Sequence, residues 1–238
     1  MLMSTGAEAV ENAIKIAKQA TKRDAVICYT GAFHGRTLMA MTLTSKIDYK
    51  LNCGPFAPEV YRLPLPNTYR YSNGLTEDEY VKQELKRLHE SGKNLVNPKN
   101  VAAIIIELVQ GEGGFTVAPQ AYIEGLRDFC DEHGIMLIFD EVQSGFARTG
   151  SWGAMDHYNV IPDLSTWAKS MGSGMPIATV IGKAEVMDAA APGTTGGTYI
   201  GNPVACAASL ATIQYIKDVK LNERGVEVGN IIRTRFEA

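Results

Sequence analysis

The sequence predicts an α/β fold, a mostly parallel sheet flanked by helices. Three features point there. Apolar runs such as Val101-Ala-Ala-Ile-Ile-Ile-Glu107 and Ile135-Met-Leu-Ile-Phe-Asp140 are continuous rather than alternating, which marks strands covered on both faces. Helical stretches separate these runs, as βαβ units require. Ionisable side chains gather where the runs stop: Glu107, Asp140 and Lys169 stand at or just past predicted strand ends. In open α/β sheets that edge is where ligands bind.

The elements follow in order. A first helix starts at Thr5-Gly6-Ala7 and runs to about Gln19, with Val10, Ile14 and Ala17 on one face. Residues 25–29 form a short apolar strand, 31–35 a loop, and 36–43 begin another helix. From Asn52 to Asn73 prolines and aromatics occur without a period, which reads as a long loop of the functional kind. A charged amphipathic helix covers 76–88, a strand 101–107, a helix 120–133 closed by Gly134, and a strand 136–140. Two more short strands span 164–168 and 177–181, and helices cover 205–216 and 223–236.

The bulk numbers exclude several classes of function. A chain of 238 residues, 45% hydrophobic and 21% charged, has the makings of a globular core. A net charge of -3 gives no general attraction to nucleic acid or to an anionic membrane, so neither is an expected partner. No apolar run is long enough to span a bilayer and no basic-then-apolar leader is visible, which makes the cytoplasm the expected location. Cys28, Cys53, Cys130 and Cys206 form no CxxC pair and read as buried thiols, so no metal site is expected.

Asp140 ends a strand after four apolar residues, so it enters a partly desolvated site and needs a cationic partner. A protonated pyridine nitrogen would be one, and Lys169, flanked by Trp167, Ala168 and Met171, would be the amine nucleophile toward an aldehyde. A strand-end Asp and a strand-end Lys are what pyridoxal phosphate (PLP) chemistry uses. Gln143 follows Asp140 closely and could reach the same ring, or simply bond the backbone of its turn. Ser4-Thr5-Gly6-Ala7 opens a helix whose free N–H groups suit a phosphate, although such starts are often ordinary caps. In Phe33-His34-Gly35-Arg36, Phe33 could stack on a planar ring and Arg36 could hold a carboxylate. Gly111-Glu112-Gly113-Gly114 allows a tight path near a ligand but lacks the Gly-Lys-Ser/Thr of a P-loop.

Together these segments resemble the class III (ω-amino acid) PLP-dependent aminotransferases of fold type I. The matching stretches are 4–12, 31–37, Gly54-Pro-Phe-Ala-Pro58, 109–114, 139–150, Pro162-Asp-Leu164, Ala168-Lys-Ser170 and Gly196-Gly-Thr-Tyr199. Their order is the family's, and within it the chain is most similar to the 4-aminobutyrate aminotransferases. The resemblance implies that Lys169 carries the cofactor as a Schiff base and moves the substrate proton. It places Asp140 on the pyridine nitrogen, Gln143 on the phenolic oxygen, Phe33 against the ring with His34 among the cofactor contacts, and the Gly6 and Ala7 N–H groups on the phosphate. Thr198 would reach the phosphate of a neighbouring subunit, which implies a homodimer with a shared site. Arg36 would bind the distal carboxylate of the substrate, and Glu112 would be half of a salt-bridge switch with an Arg.

The expected reaction is amino transfer from an ω-amino acid such as 4-aminobutyrate to 2-oxoglutarate. An ornithine- or acetylornithine-type aminotransferase, an amino-acid racemase or epimerase, and an inactive fragment retaining only PLP binding or dimerisation remain alternatives. Family members are much longer. Residues 1–220 are therefore expected to be the large PLP-binding domain, incomplete at its N-terminus, with 221–238 starting the helix toward a missing C-terminal small domain. Leu108 stands where the family usually has Pro after the strand-end Glu, so a local backbone change is expected there.

Overall fold

The computed structural model describes all of residues 1–238. In chain order the elements are β1 (Leu2–Met3), α1 (Gly6–Thr21), β2 (Ala25–Tyr29), α2 (Leu38–Leu43), β3 (Val60–Leu63), α3 (Thr68–Tyr71), α4 (Glu77–Asn94) and β4 (Val101–Ile106). They continue with β5 (Val109–Gln110), β6 (Thr116–Val117), α5 (Gln120–His133), β7 (Met136–Asp140), β8 (Leu164–Trp167), β9 (Ala178–Gly182), α6 (Ala184–Met187), α7 (Pro203–Asp218) and α8 (Leu221–Glu237). The main sheet has the order β1-β9-β8-β7-β4-β2-β3. Strands β3, β2, β4, β7 and β8 are parallel, and β9 and β1 add an antiparallel edge. The mostly parallel sheet is the one the apolar runs predict.

Those runs are continuous because the pleat sends alternate side chains into two cores. Ile27, Tyr29, Ile104, Ile106, Leu137 and Phe139 face α4 and α5, where they meet Val81, Leu88, Leu126 and Phe129. Val26, Cys28, Ala103, Ile105 and Ile138 face α1, where they meet Val10, Ala13, Ile14 and Ala17. Both faces are buried along β2, β4 and β7, so those strands carry no charged side chain until they end. The helices that cover the sheet are closed by local chemistry. Thr5 and Glu8 form a capping box at the start of α1, and Gly134 takes the left-handed conformation that ends α5.

Several expectations need correction. The long loop foreseen between Asn52 and Asn73 contains β3, an edge strand paired with β2, and the short α3. Val60-Tyr-Arg-Leu63 has no clear alternation because three of its four residues are only half-buried, so the strand exists by virtue of its neighbour. The helix expected from residue 36 begins at Leu38. The cysteines are all free, but Cys53 is exposed and Cys206 half-buried, because the segment around Cys53 is irregular and α7 buries only part of its surface. Nothing in α8 is buried. No helix is long and apolar enough to cross a membrane.

The strand order also fixes where a ligand can sit. From β2 the chain moves to β3 on one side, and from β4 it moves to β7 on the other, so the carboxyl ends of β2 and β4 flank a switch point. At the opposite end of the sheet Asp163 acts as a clamp. It accepts bonds from Arg127 at 2.9 Å, Lys183 at 2.7 Å and the Leu137 N–H at 2.8 Å. Burial works to raise its carboxyl, but these three donors outweigh burial and hold it below the usual range. Replacing Asp163 by Ala leaves the buried Leu137 N–H unpaired and takes one carboxylate from Arg127, which keeps Asp131 at 2.8 Å, and from the partly exposed Lys183. Chemical denaturation at neutral pH should show a loss of about 2–4 kcal/mol.

Candidate active site

The carboxyl ends of β2, β4, β7 and β8 and the start of α1 enclose a cavity of about 480 Å³. Each wall comes from a different strand end: Phe33 and His34 follow β2, Glu107 and Glu112 follow β4, Asp140 and Gln143 close β7, and Lys169 follows β8. The sheet thus brings together residues separated by more than a hundred positions in the chain.

Asp140 is 4% exposed and is held on both oxygens. Oδ2 lies 2.7 Å from His34 Nδ1, while Oδ1 accepts from the Val142 N–H at 3.1 Å and the Thr166 hydroxyl at 3.0 Å. A carboxylate offers about four acceptor positions, so three partners leave room for one more donor. Thr166 is the register partner of Asp140 across the β7–β8 pair, and the sequence alone does not set that register.

Lys169 opens a short 3₁₀ turn and adopts a left-handed φ of 47°. That conformation costs a non-glycine residue about 1 kcal/mol or more, and it aims the side chain into the cavity mouth. Its Nζ donates to Gln143 Oε1. The shielded amine that the apolar flanks suggest is not found: Lys169 is exposed, because the strand end opens directly on the cavity.

Gly6 and Ala7 line the cavity as the first two residues of α1. Their N–H groups have no acceptor within the helix. The neighbouring donors are already taken: Glu8 Oε2 accepts from the Ser4 and Thr5 N–H groups at 2.8 and 3.0 Å, and the Thr5 hydroxyl accepts from Glu8 N–H at 3.2 Å. Glycine is needed at position 6 because a Cβ there would meet Val142 Cγ1 at 2.9 Å. The helix start is thereby drawn against the loop that follows Asp140.

Glu107 is the buried carboxyl that joins two loops. Oε1 accepts from the Phe33 N–H at 2.8 Å and Oε2 from the Gly111 N–H at 3.2 Å. Burial, above all, pushes its carboxyl up to about 7, with Asp140 adding to the rise and His34 and the two N–H donors opposing it. Glu141 is also raised by burial and binds the Ala154 and Met155 N–H groups, so it anchors the 144–155 loop rather than lining the cavity.

Not every expected residue reaches the cavity. Arg36 is exposed outside it, with its guanidinium 4.3 Å from the Tyr49 ring centroid and 5.9 Å from that of Phe33. Thr198 is exposed in the turn ahead of α7 and does not line the cavity. Glu112 does line it, and is bound by Lys46 Nζ at 3.3 Å and the Tyr49 hydroxyl at 3.1 Å. The sequence reading missed Thr166, Lys46 and Tyr49 and the bond between His34 and Asp140. No local pattern marks them, since each depends on contact between distant segments. The buried Leu108 keeps its backbone carbonyl in use, accepting from the Ala118 N–H at 2.9 Å.

Fold and site together define an α/β domain of the kind that presents an amine, a buried carboxyl and a helix N-terminus around one switch-point cavity. The model of the Aminotransferase class-III family matches residues 1–238. The chain is 47% identical over 99% of its length to a probable 4-aminobutyrate aminotransferase of Bacillus subtilis, covering 54% of that protein. It is 47% identical over 98% of its length to a 5-aminovalerate aminotransferase of Pseudomonas aeruginosa, covering 53% of it. Among solved structures, the taurine:2-oxoglutarate aminotransferase of Bifidobacterium kashiwanohense, in complex with PLP and glutamate, superposes with a TM-score of 0.91 at 31% identity, over 99% of this chain and 54% of that one. The chain belongs to the class III aminotransferases. It spans about half the length of the curated relatives it matches.

The Glu107 shift makes a stability prediction. Its carboxyl titrates near 4.5 when unperturbed and at about 7 in the folded chain. A folded value above the unfolded one gives stability that is full below the unfolded value and is lost as pH rises through the folded value. Glu107→Gln removes this titration. Wild type should therefore lose stability relative to Glu107→Gln between about pH 5 and about pH 8, on the order of 2–3 kcal/mol, read from urea unfolding at each pH.

Proposed function

We propose that this chain forms the cofactor-binding part of a PLP-dependent aminotransferase that takes the amino group of an ω-amino acid. The observation that carries this reading is the meeting, in one cavity, of the Lys169 amine, the spare acceptor position of Asp140 and the free N–H groups of Gly6 and Ala7. These are an amine for an aldehyde, a carboxyl for a ring N–H and a positive helix end for a phosphate.

When bound, PLP supplies the aldehyde and the ring that accepts an electron pair from the substrate carbon. The protein's share is positioning and proton handling. Asp140 would accept the ring N–H, and His34, Thr166 and the Val142 N–H keep that carboxyl from turning away. The Gly6 and Ala7 N–H groups and the α1 dipole would hold the phosphate. Phe33, whose N–H donates to Glu107, lines the cavity and would pack against the ring. Lys169 Nζ would be the nucleophile toward the aldehyde and would carry a proton between the substrate carbon and the cofactor carbon. Gln143 Oε1 accepts from Lys169 Nζ, and its amide N–H groups would be the donors for the phenolic oxygen of the ring.

The choice of substrate rests on the relatives and on Arg36. Curated relatives named for 4-aminobutyrate and 5-aminovalerate act on chains with an amine at one end and a carboxylate at the other. Arg36, near the cavity mouth, suits the far carboxylate, with 2-oxoglutarate as acceptor. We take residues 1–220 as the cofactor domain and the working unit as a homodimer in which Thr198 serves the partner's phosphate.

Adding PLP to the 238-residue chain should produce a visible-range absorption band that Lys169→Ala abolishes. Asp140→Ala should keep the fold but weaken PLP binding roughly tenfold or more, since a buried charge pair is lost. Equal spectra for wild type and Lys169→Ala would overturn the reading.

A further inference from the structure

Helix α2 has six residues, too few to be stable alone, yet it is braced at both ends. The first N–H groups of a helix have no acceptor within it. Thr37, just ahead of α2, makes no side-chain cap bond to them. Glu11 of α1 supplies the cap instead. Its Oε1 accepts from the Thr37 hydroxyl at 2.6 Å, the Met39 N–H at 2.8 Å and the Ala40 N–H at 3.2 Å. At the other end Arg62 of β3 donates through Nη2 to the carbonyls of Thr42, Leu43 and Thr44, at 2.9, 2.8 and 3.1 Å. An anion at the start and a cation at the end both match the helix dipole.

Thr44 follows α2 directly, is fully buried and does not line the cavity. Its hydroxyl stands 2.9 Å from the Ala40 carbonyl and 3.0 Å from the Gly35 carbonyl, one of which takes its proton. A bond to the carbonyl four residues back is the ordinary fate of a helix-end threonine, and it leaves the oxygen lone pairs free. Here the oxygen also accepts the His34 N–H, at 3.0 Å. Next to it the Ser45 N–H donates to the Ala32 carbonyl at 2.7 Å. The end of α2 therefore grips the loop backbone on both sides of His34. The His34 ring needs that grip. It is buried, its Nδ1 lies 2.7 Å from Asp140 Oδ2, and its Nε2 has no partner. One bond orients the ring, and the backbone that carries it must be fixed for that bond to stay short.

We propose that Thr44 is a positioning residue: from the braced end of α2 its hydroxyl fixes the His34 backbone, and through it the Nδ1 bond that orients Asp140. This rests on the reading of Asp140 as the acceptor of the ring N–H, and it extends the support of that carboxyl to a residue outside the cavity. Thr44, His34 and Asp140 are all buried within this chain, so their contacts belong to the folded sheet and its loops.

The test has one arm without PLP and one with it, both on the 238-residue chain. In the first, NMR follows exchange of the His34 Nδ1 proton with D₂O, the signal being assigned by its absence in His34→Phe. Thr44→Val keeps the side-chain shape and removes the hydroxyl, and should speed this exchange roughly tenfold or more. Thr44→Ser should stay within about twofold of wild type. Backbone amides of β4 and β7 should keep their rates in both variants. Equal acceleration of those amides marks a general loss of stability and overturns the proposal, as does unchanged exchange in Thr44→Val. If Thr44→Val does not fold, Glu11→Ala, on the partly exposed side of α1, releases the start of α2 and should speed the same proton by roughly threefold. No change there overturns the proposal. In the second arm Thr44→Val should weaken PLP binding by roughly fivefold in wild type and by less than about twofold in His34→Phe, because its effect runs through His34. Equal losses in the two backgrounds overturn it. A wild type without a PLP band overturns the cofactor reading alone, and the exchange arm still decides whether Thr44 holds His34.

Discussion

A carboxyl group at the buried end of β7 is the constraint around which this site is built. Asp140 sits where water is scarce, and a carboxyl there costs several kcal/mol unless its oxygens are satisfied. Its three partners come from three places: His34 after β2, Val142 in the loop that follows, and Thr166 on β8. None can be supplied unless the strands lie in the observed order and β7 pairs with β8 in the observed register. The sheet topology and the chemistry of Asp140 are therefore one requirement.

A second carboxyl extends the same logic to the loops. Glu107 ends β4 as Asp140 ends β7, but it bonds backbone instead of side chains. By holding the N–H groups of Phe33 and Gly111 it anchors both the loop that brings Phe33 to the cavity wall and the loop that carries Glu112. Two loops of different origin thus share one anchor. The burial that raises its carboxyl is offset by what it positions.

At the cavity mouth the balance changes. Charges there are exposed, so individual pairs are weak and geometry decides who pairs with whom. Tyr49 is central because an aromatic ring offers a face to a cation while its hydroxyl serves an anion. Deep in the cavity, by contrast, desolvation fixes the partners of Asp140 and Glu107 far more strictly.

By itself the sequence determined the layer architecture, the strands and helices that flank the cavity, and the residues at their ends. Continuous apolar runs follow directly from burial on two faces, and a carboxyl or amine can appear only where such a run stops, so Glu107, Asp140 and Lys169 were legible from pattern alone. The motif order further placed Gly6, Phe33, Gln143 and Glu112 at the same edge. Tertiary structure alone decided the rest. Strand β3 exists because β2 offers it an edge, and its own residues carry no clear period. Thr166 meets Asp140 through register, Lys46 and Tyr49 meet Glu112 across a separation of more than sixty residues, and the exposure of Lys169 reflects an open strand end rather than its apolar neighbours. Local sequence encodes period, burial and caps because these act within a few residues. Partners brought together by loop paths and strand register depend on the whole chain, and no short window of sequence contains them.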